Sequence, residues 1–204
     1  MPAKILLLYY STYGHIWKLA ESVAKGLKAS GATVDIYQIP ETLPAEVLTK
    51  MHAPPKAQYP PFEDVSLLKG YDGYAFGIPT RYGRAPAQVS AFFDRTGGLW
   101  ASGALVGKFA TIFSSTGSQH GGQETTALST IPFLAHHGII YVPIGPHPGL
   151  AEMNEVAGGS YYGAATVAAG DGSRQPSDLE LRIAEYQGSH FGNTVNTFVA
   201  GKSK

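Results

Sequence analysis

The 204-residue chain contains no cysteine. That absence excludes disulfides, a thiolate nucleophile, Fe–S clusters held by cysteine and zinc sites of the cysteine type, and it suits a reducing compartment. Charge is also scarce: fifteen Lys+Arg stand against fifteen Asp+Glu, a formal net charge of +0. Balanced charge removes the attraction behind most nonspecific nucleic-acid binding and any long-range pull toward anionic membranes. Long apolar runs are missing too. Ile5 to Tyr10 is far shorter than the roughly 20 residues of a spanning helix, and no small-residue cleavage pattern follows it. The expectation is no nucleic-acid partner, no integral membrane segment, no secretory signal and a cytoplasmic location.

Core material is plentiful, with 44% hydrophobic residues against 15% charged ones, and the length suits one domain over residues 1–204. Residues 4–10 read as a strand buried on both faces of a parallel sheet. Ile16, Leu19, Ala20, Val23 and Leu27 recur at helical spacing, and Gly31 supplies a stop. A strand is predicted over Thr33–Ile39. The stretch from Pro40 to Asp64 holds six prolines and reads as a surface crossover with a short helix at Pro44–Leu48. Further strands are predicted at Tyr71–Gly77, Lys108–Ser114 and Ile139–Val142. A helix starting near Pro86 directs Val89, Phe92 and Phe93 inward, and Glu124–His137 is helical with a possible kink at Pro132. Residues 96–107 and 143–176 read as excursions from the sheet. Ser177-Asp178-Leu179-Glu180 is a capping box that opens a last helix along Ile183, Gln187, Phe191, Val195 and Phe198. Five strands alternating with helices define an α/β fold: a doubly wound five-stranded parallel sheet with helices on both faces.

In such sheets ligands sit at the carboxyl ends of the strands, where strand order reverses. The first such loop, Ser11-Thr12-Tyr13-Gly14-His15-Ile16, places two hydroxyls and a glycine before a helix N-terminus, a suitable seat for a phosphate. A plain N-cap uses the same residue types, so the loop alone leaves both readings open. No G-x-G-x-x-G follows the first strand, which counts against a Rossmann dinucleotide site. Gly103 to Lys108 fails as a P-loop: three residues separate its glycines instead of four, and Phe109 follows the lysine. A receiver domain would need carboxylates where this chain has hydroxyls. Pro79-Thr80-Arg81-Tyr82-Gly83 and the loop Ser114 to Glu124 bring further hydroxyls, a cation and an aromatic ring to the same edge, which suits a flat aromatic ligand carrying one phosphate. His136-His137 is not read as a metal site, because helix neighbours point about 100° apart and no third ligand is evident. One of the pair is expected at the ligand and the other at the helix end. Asp171, Ser173 and Arg174 are expected to make turn hydrogen bonds.

Six segments together resemble the WrbA-type family of flavodoxin-like NAD(P)H:quinone oxidoreductases, the type IV quinone reductases, which include fungal benzoquinone reductases and flavodoxin-like allergens. They are Tyr9 to Ile16, Gly77 to Gly83, Thr96 to Trp100, Ser115 to Gly117 with Gly121 to Glu124, Ala135 to Gly138, and Gly170 to Ser177. The resemblance implies FMN, its phosphate on Ser11, Thr12, Tyr13, Gly14, His15 and Ile16. It places the isoalloxazine against Pro79, Thr80, Arg81, Tyr82 and Gly83, against Ser115, Thr116, Gly117, Ser118, Gln119, His120 and Gly121, and near His136. It implies that Tyr13, Tyr82, Trp100 and His136 meet NADH or NADPH and the quinone, and it suggests a homotetramer. Arg81 is taken as electrostatic support for reduced flavin and His136 as a hydrogen-bond donor to quinone oxygen, with two-electron, ping-pong turnover. The alternatives are a flavodoxin-type one-electron carrier, to which the missing field is ill suited, and a flavin-binding scaffold. The chain departs from the family at His120, usually glycine, at Arg84, often asparagine, and at Pro146-His147-Pro148, which replaces an aromatic stretch.

Overall fold

The structure is a computed structural model and describes residues 1–202. Strands β1 (Lys4–Tyr9), β2 (Thr33–Gln38), β3 (Gly73–Pro79), β4 (Phe109–Thr116), β5 (Ile140–Tyr141) and β6 (Ala165–Val167) form one parallel sheet. The order is β2-β1-β3-β4-β5, with β6 also paired to β4. Helices α1 (His15–Ala29), α2 (Ala45–Lys50), α3 (Ala87–Asp94), α4 (Gly97–Ala101), α5 (Gln123–His136) and α6 (Asp178–Lys202) connect and cover it. The doubly wound flavodoxin-like expectation therefore holds.

Alternation along β1 explains its unbroken apolar run. Ile5, Leu7 and Tyr9 face a core with α1 and α6, while Leu6, Leu8 and Tyr10 face another with α3, α4 and α5. Every β1 side chain after Lys4 is buried on one face or the other. The capping box forms reciprocally: the Ser177 amide donates to Glu180 Oε2 at 2.8 Å, and the Glu180 amide donates to Ser177 Oγ at 3.3 Å. Pro132 lies within α5 without ending it.

Two features depart from the expected pattern. Residues 96–107 are partly helical, as α4, and residues 143–176 return to the sheet as β6. The fifth strand position is filled twice: β4 pairs with β5 through Phe109 and Ala110, then with β6 through Ser114 to Thr116. The sheet thus has six strands at five positions. Where β5 has ended and β6 has not begun, the buried Gln187 side chain of α6 donates to Ile112 O at 2.8 Å and to Thr111 Oγ1 at 2.7 Å, and accepts from the Ala164 amide at 2.8 Å. A helix side chain completes the ladder that the interrupted strand leaves open.

Candidate functional site

The chain leaves β1 for β2 on one side and then crosses to β3 on the other, so strand order reverses between β1 and β3. A cleft of 530 Å³ opens at the carboxyl ends of these strands, within the range of about 300–1,000 Å³ for small-molecule sites. Ser11, Tyr13, His15 and Ile16 line it from the first loop, Pro79 and Thr80 from the second, and Ser115, Thr116 and Gly117 from the third. Three loops predicted separately from sequence therefore meet around one space.

The first loop is organised to accept an anion. Gly14 is the N-cap of α1 at φ 92, and no side chain caps the helix there. Ser11 Oγ accepts from the Gly14 amide at 3.0 Å, which leaves its own proton free to donate outward. The Thr12 and Tyr13 amides have no acceptor among the described residues. The first turn of α1 contains no acidic residue. Uncapped helix amides, orphaned loop amides and a hydroxyl are the donor set of a phosphate seat, and this chemistry fits the single phosphate of FMN.

His15 lines the cleft and is buried, with Nε2 at 3.0 Å from Arg174 O. Burial holds its pKa below the usual value, against the opposite influence of the Arg174 and Gly172 carbonyls. Arg81 spans two loops, donating from Nη1 to Thr80 O at 2.8 Å and from Nη2 to Thr12 Oγ1 at 3.4 Å. Thr80 Oγ1 accepts from the Gly83 amide at 3.1 Å and is hydrogen-bonded to Thr126 Oγ1 at 2.9 Å, which fixes the turn that holds Tyr82 fully in solvent. In the third loop Thr116 Oγ1 donates to Ser118 O at 2.6 Å and the Gly121 amide donates to the same oxygen at 3.2 Å.

Not every predicted residue converges on the cleft. Gln119 and His120 line a separate polar pocket with Gln123 and Glu124. Trp100 and His136 line another pocket, between α3, α4 and α5, with Phe93 and Phe133. His137 is the C-cap of α5 and is buried against Thr96, while His136 is exposed. The histidine pair thus divides between a surface group and a helix end. Among the described residues no three His, Asp or Glu side chains are grouped to hold a metal ion.

Two walls of the cleft lie outside the residues predicted as ligand contacts. Met51 and His52 arrive from the proline-rich crossover, tied to the first loop by Tyr13 OH donating to Met51 O at 3.3 Å. Ala168 to Gly172 forms the opposite wall. Its far end is fixed by more than the expected turn: Asp171 Oδ1 accepts from Ser173, but Arg174 Nη1 pairs with the fully buried Glu180 at 3.0 Å. The glycine-rich run Gly170 to Gly172 was the available hint of a wall. Among the described residues, the non-glycine residues with positive φ are His52, Tyr82 and Ala169. His52 and Ala169 line the cleft, and Tyr82 lies two residues beyond Thr80 of its wall. Strained backbone of this kind concentrates at ligand sites.

Fold and cleft together define a flavodoxin-like α/β protein with a phosphate seat at the strand-order switch. Among solved structures it is similar to a WrbA-like flavodoxin from Agrobacterium tumefaciens, with a TM-score of 0.68 and 20% identity over 96% of this chain and 98% of the other. An archaeal flavodoxin gives a TM-score of 0.60 at 18% identity, covering 94% of this chain and 98% of the other. The sequence belongs to the NADPH-dependent FMN reductase family, which it matches over residues 3–145. An NAD(P)H quinone oxidoreductase of Candida albicans is 53% identical over 98% of this chain and 71% of its own length. A minor allergen of Alternaria alternata is 52% identical over 96% of this chain and 98% of its length. A quinone oxidoreductase of Triphysaria versicolor is 53% identical over 93% and 94%.

Proposed function

We propose that this chain is an FMN-dependent NAD(P)H:quinone oxidoreductase that reduces quinones of the benzoquinone type to hydroquinones. The observation that carries the reading is the first loop, whose orphaned amides and free hydroxyl open into a cleft at the switch point. Family membership and relatives named as quinone oxidoreductases support the activity. Two-electron transfer from NAD(P)H to a quinone is the chemistry that bound FMN supplies. The residues of this chain bind and orient. Ser11, the Thr12 and Tyr13 amides and the N-terminus of α1 hold the phosphate, while Thr80, Ser115 to Gly117 and Ala168 to Gly172 wall the ring. Arg81, tethered to the first and second loops, would supply a fixed positive charge beside a bound flavin.

Tyr82, Trp100 and His136 form the substrate face in this reading, with His136 donating to quinone oxygen. Trp100 and His136 occupy a different pocket from the cleft of their own chain, so we assign their contribution to a neighbouring copy in a homotetramer. Exposed Trp100, Tyr161 and Met153 support such an interface. No helix among the described residues is long and apolar enough to cross a membrane; the cysteine-free composition suits a cytoplasmic location, and the length of 204 residues suits a single domain. Purified protein should show a flavin spectrum, release FMN and not FAD on denaturation, and oxidise NADH or NADPH much faster when benzoquinone is added. Flavin release without quinone-dependent turnover would favour an electron carrier or scaffold.

A further inference from the structure

The first loop contains no lysine or arginine, yet the structure brings an ammonium to its rear. Lys56 lies in the proline-rich crossover, 45 residues from Ser11 in sequence. Its Nζ donates to Ser11 O at 2.8 Å and to Glu41 Oε2 at 2.8 Å, and it sits 4.8 Å from the centre of the Tyr10 ring. Glu41 is partly buried and accepts from Tyr10 OH at 2.9 Å and from Gln88 Nε2 at 3.2 Å. Tyr10 OH in turn accepts from Thr12 Oγ1 at 3.3 Å. Burial by itself would raise the Glu41 pKa, but Lys56, the Leu43 amide and Tyr10 outweigh it and keep the carboxyl ionised. The result is a fixed charge pair built from the crossover and clamped onto the backbone of the phosphate loop.

Planarity gives the clamp a direction. In a trans peptide the carbonyl and the following N–H point opposite ways. With Ser11 O held by Lys56, the Thr12 amide faces the side of the loop away from Lys56, and that amide has no acceptor among the described residues. Without the ammonium, the Ser11–Thr12 peptide could rotate and withdraw a phosphate donor. Lys56 also sets one positive charge behind the seat.

We infer that Lys56, braced by Glu41 and Tyr10, is a positioning residue for the flavin phosphate and makes the cleft select FMN over unphosphorylated riboflavin. The inference rests on the FMN reading above and adds the source of its selectivity. The test equilibrates the holoprotein with equimolar FMN and riboflavin, then reads the ratio of bound flavins by chromatography after denaturation. Lys56→Met should lower the FMN-to-riboflavin ratio about tenfold or more, the scale of a charge-assisted hydrogen bond. Lys56→Arg, which can still donate to Ser11 O, should restore most of it. A merely structural role would weaken both flavins equally and leave the ratio unchanged, and that result would overturn the inference. Should Lys56→Met not accumulate as folded protein, Lys56→Gln decides: it removes the ammonium while keeping a polar side chain at the position, so the ratio should fall, and an unchanged ratio would overturn the inference. Wild-type protein that shows no preference for FMN would instead overturn the cofactor reading itself.

Discussion

His137 shows how much one residue can carry. Thr96 Oγ1 already donates to Phe93 O at 2.6 Å, so at its 2.9 Å contact with His137 Nε2 it can only accept. His137 therefore carries its proton on Nε2, and its buried Nδ1 is a bare lone pair with no partner among the described residues. Protonation would create a buried N–H with nothing to receive it. Accordingly burial, with His136 next to it, holds the His137 pKa below its usual value, and burial acts the same way on His15. Both histidines gain proton affinity on unfolding. Stability should thus be intact above about pH 6.5, the unperturbed value, and fall as the pH drops from there toward the lowered folded values. Urea denaturation between pH 8 and pH 5 checks this, and in His137→Gln the fall should be shallower. A flat profile would contradict neutral burial of either ring.

At the scale of elements, two contacts hold the frame of the site. The first is the crossing of α1 and α6. A Cβ on Gly26 would lie 1.9 Å from Glu185 O, and one on Gly188 would lie 2.1 Å from Val23 O, so each helix needs its glycine for the backbones to meet. Gly188→Ala should destabilise by about 2 kcal/mol from overpacking, although alanine is the better helix former by about 1 kcal/mol. Thermal melting would show it. The second contact is Gln187 in the gap between β5 and β6. Gln187→Leu keeps the volume roughly but strands the Ala164 amide and the Ile112 carbonyl in a buried setting. A loss of about 3 kcal/mol is expected, read as a lower denaturation midpoint with an unchanged m value. Gln187 fitted the helical periodicity of α6 in sequence, yet its role was not legible there. The break it repairs arises only when a segment within the excursion, β6, returns to β4.

At the scale of the whole molecule the sequence offers no separate dinucleotide fingerprint, and the cleft that would hold the flavin lies at the switch point. If nicotinamide and quinone share one flavin face, they cannot bind productively together. Initial-rate plots at several quinone concentrations should be parallel, and excess quinone should compete with NAD(P)H. Trp100→Ala removes a stacking wall worth about 1 kcal/mol, so a several-fold loss of apparent substrate affinity is expected with FMN still bound. Because Trp100 is assigned to a neighbouring copy, light scattering on a sizing column should give a tetramer for the wild type. Intersecting rate plots would mean two sites. A fully active monomer would remove the shared-site assignment of Trp100 and His136.

The residues by themselves determined the doubly wound sheet, because apolar runs, helical periodicity and loop chemistry are local patterns set by neighbours in the chain. The hydroxyl-glycine loop at Ser11 to Ile16, the turns at Thr80 and Ser115 and the capping box at Ser177 were legible for the same reason. Tertiary structure alone decided the contacts made at long sequence separation. It brought Met51 and His52 to one wall and Ala168 to Gly172 to the other, and it set Gln187 of α6 against Ile112 of β4. It also set Lys56 behind a loop that contains no cation and moved Trp100 and His136 out of the cleft of their own chain. No periodicity reports which distant segments will meet, since that depends on how sheet order and crossovers close the chain in space.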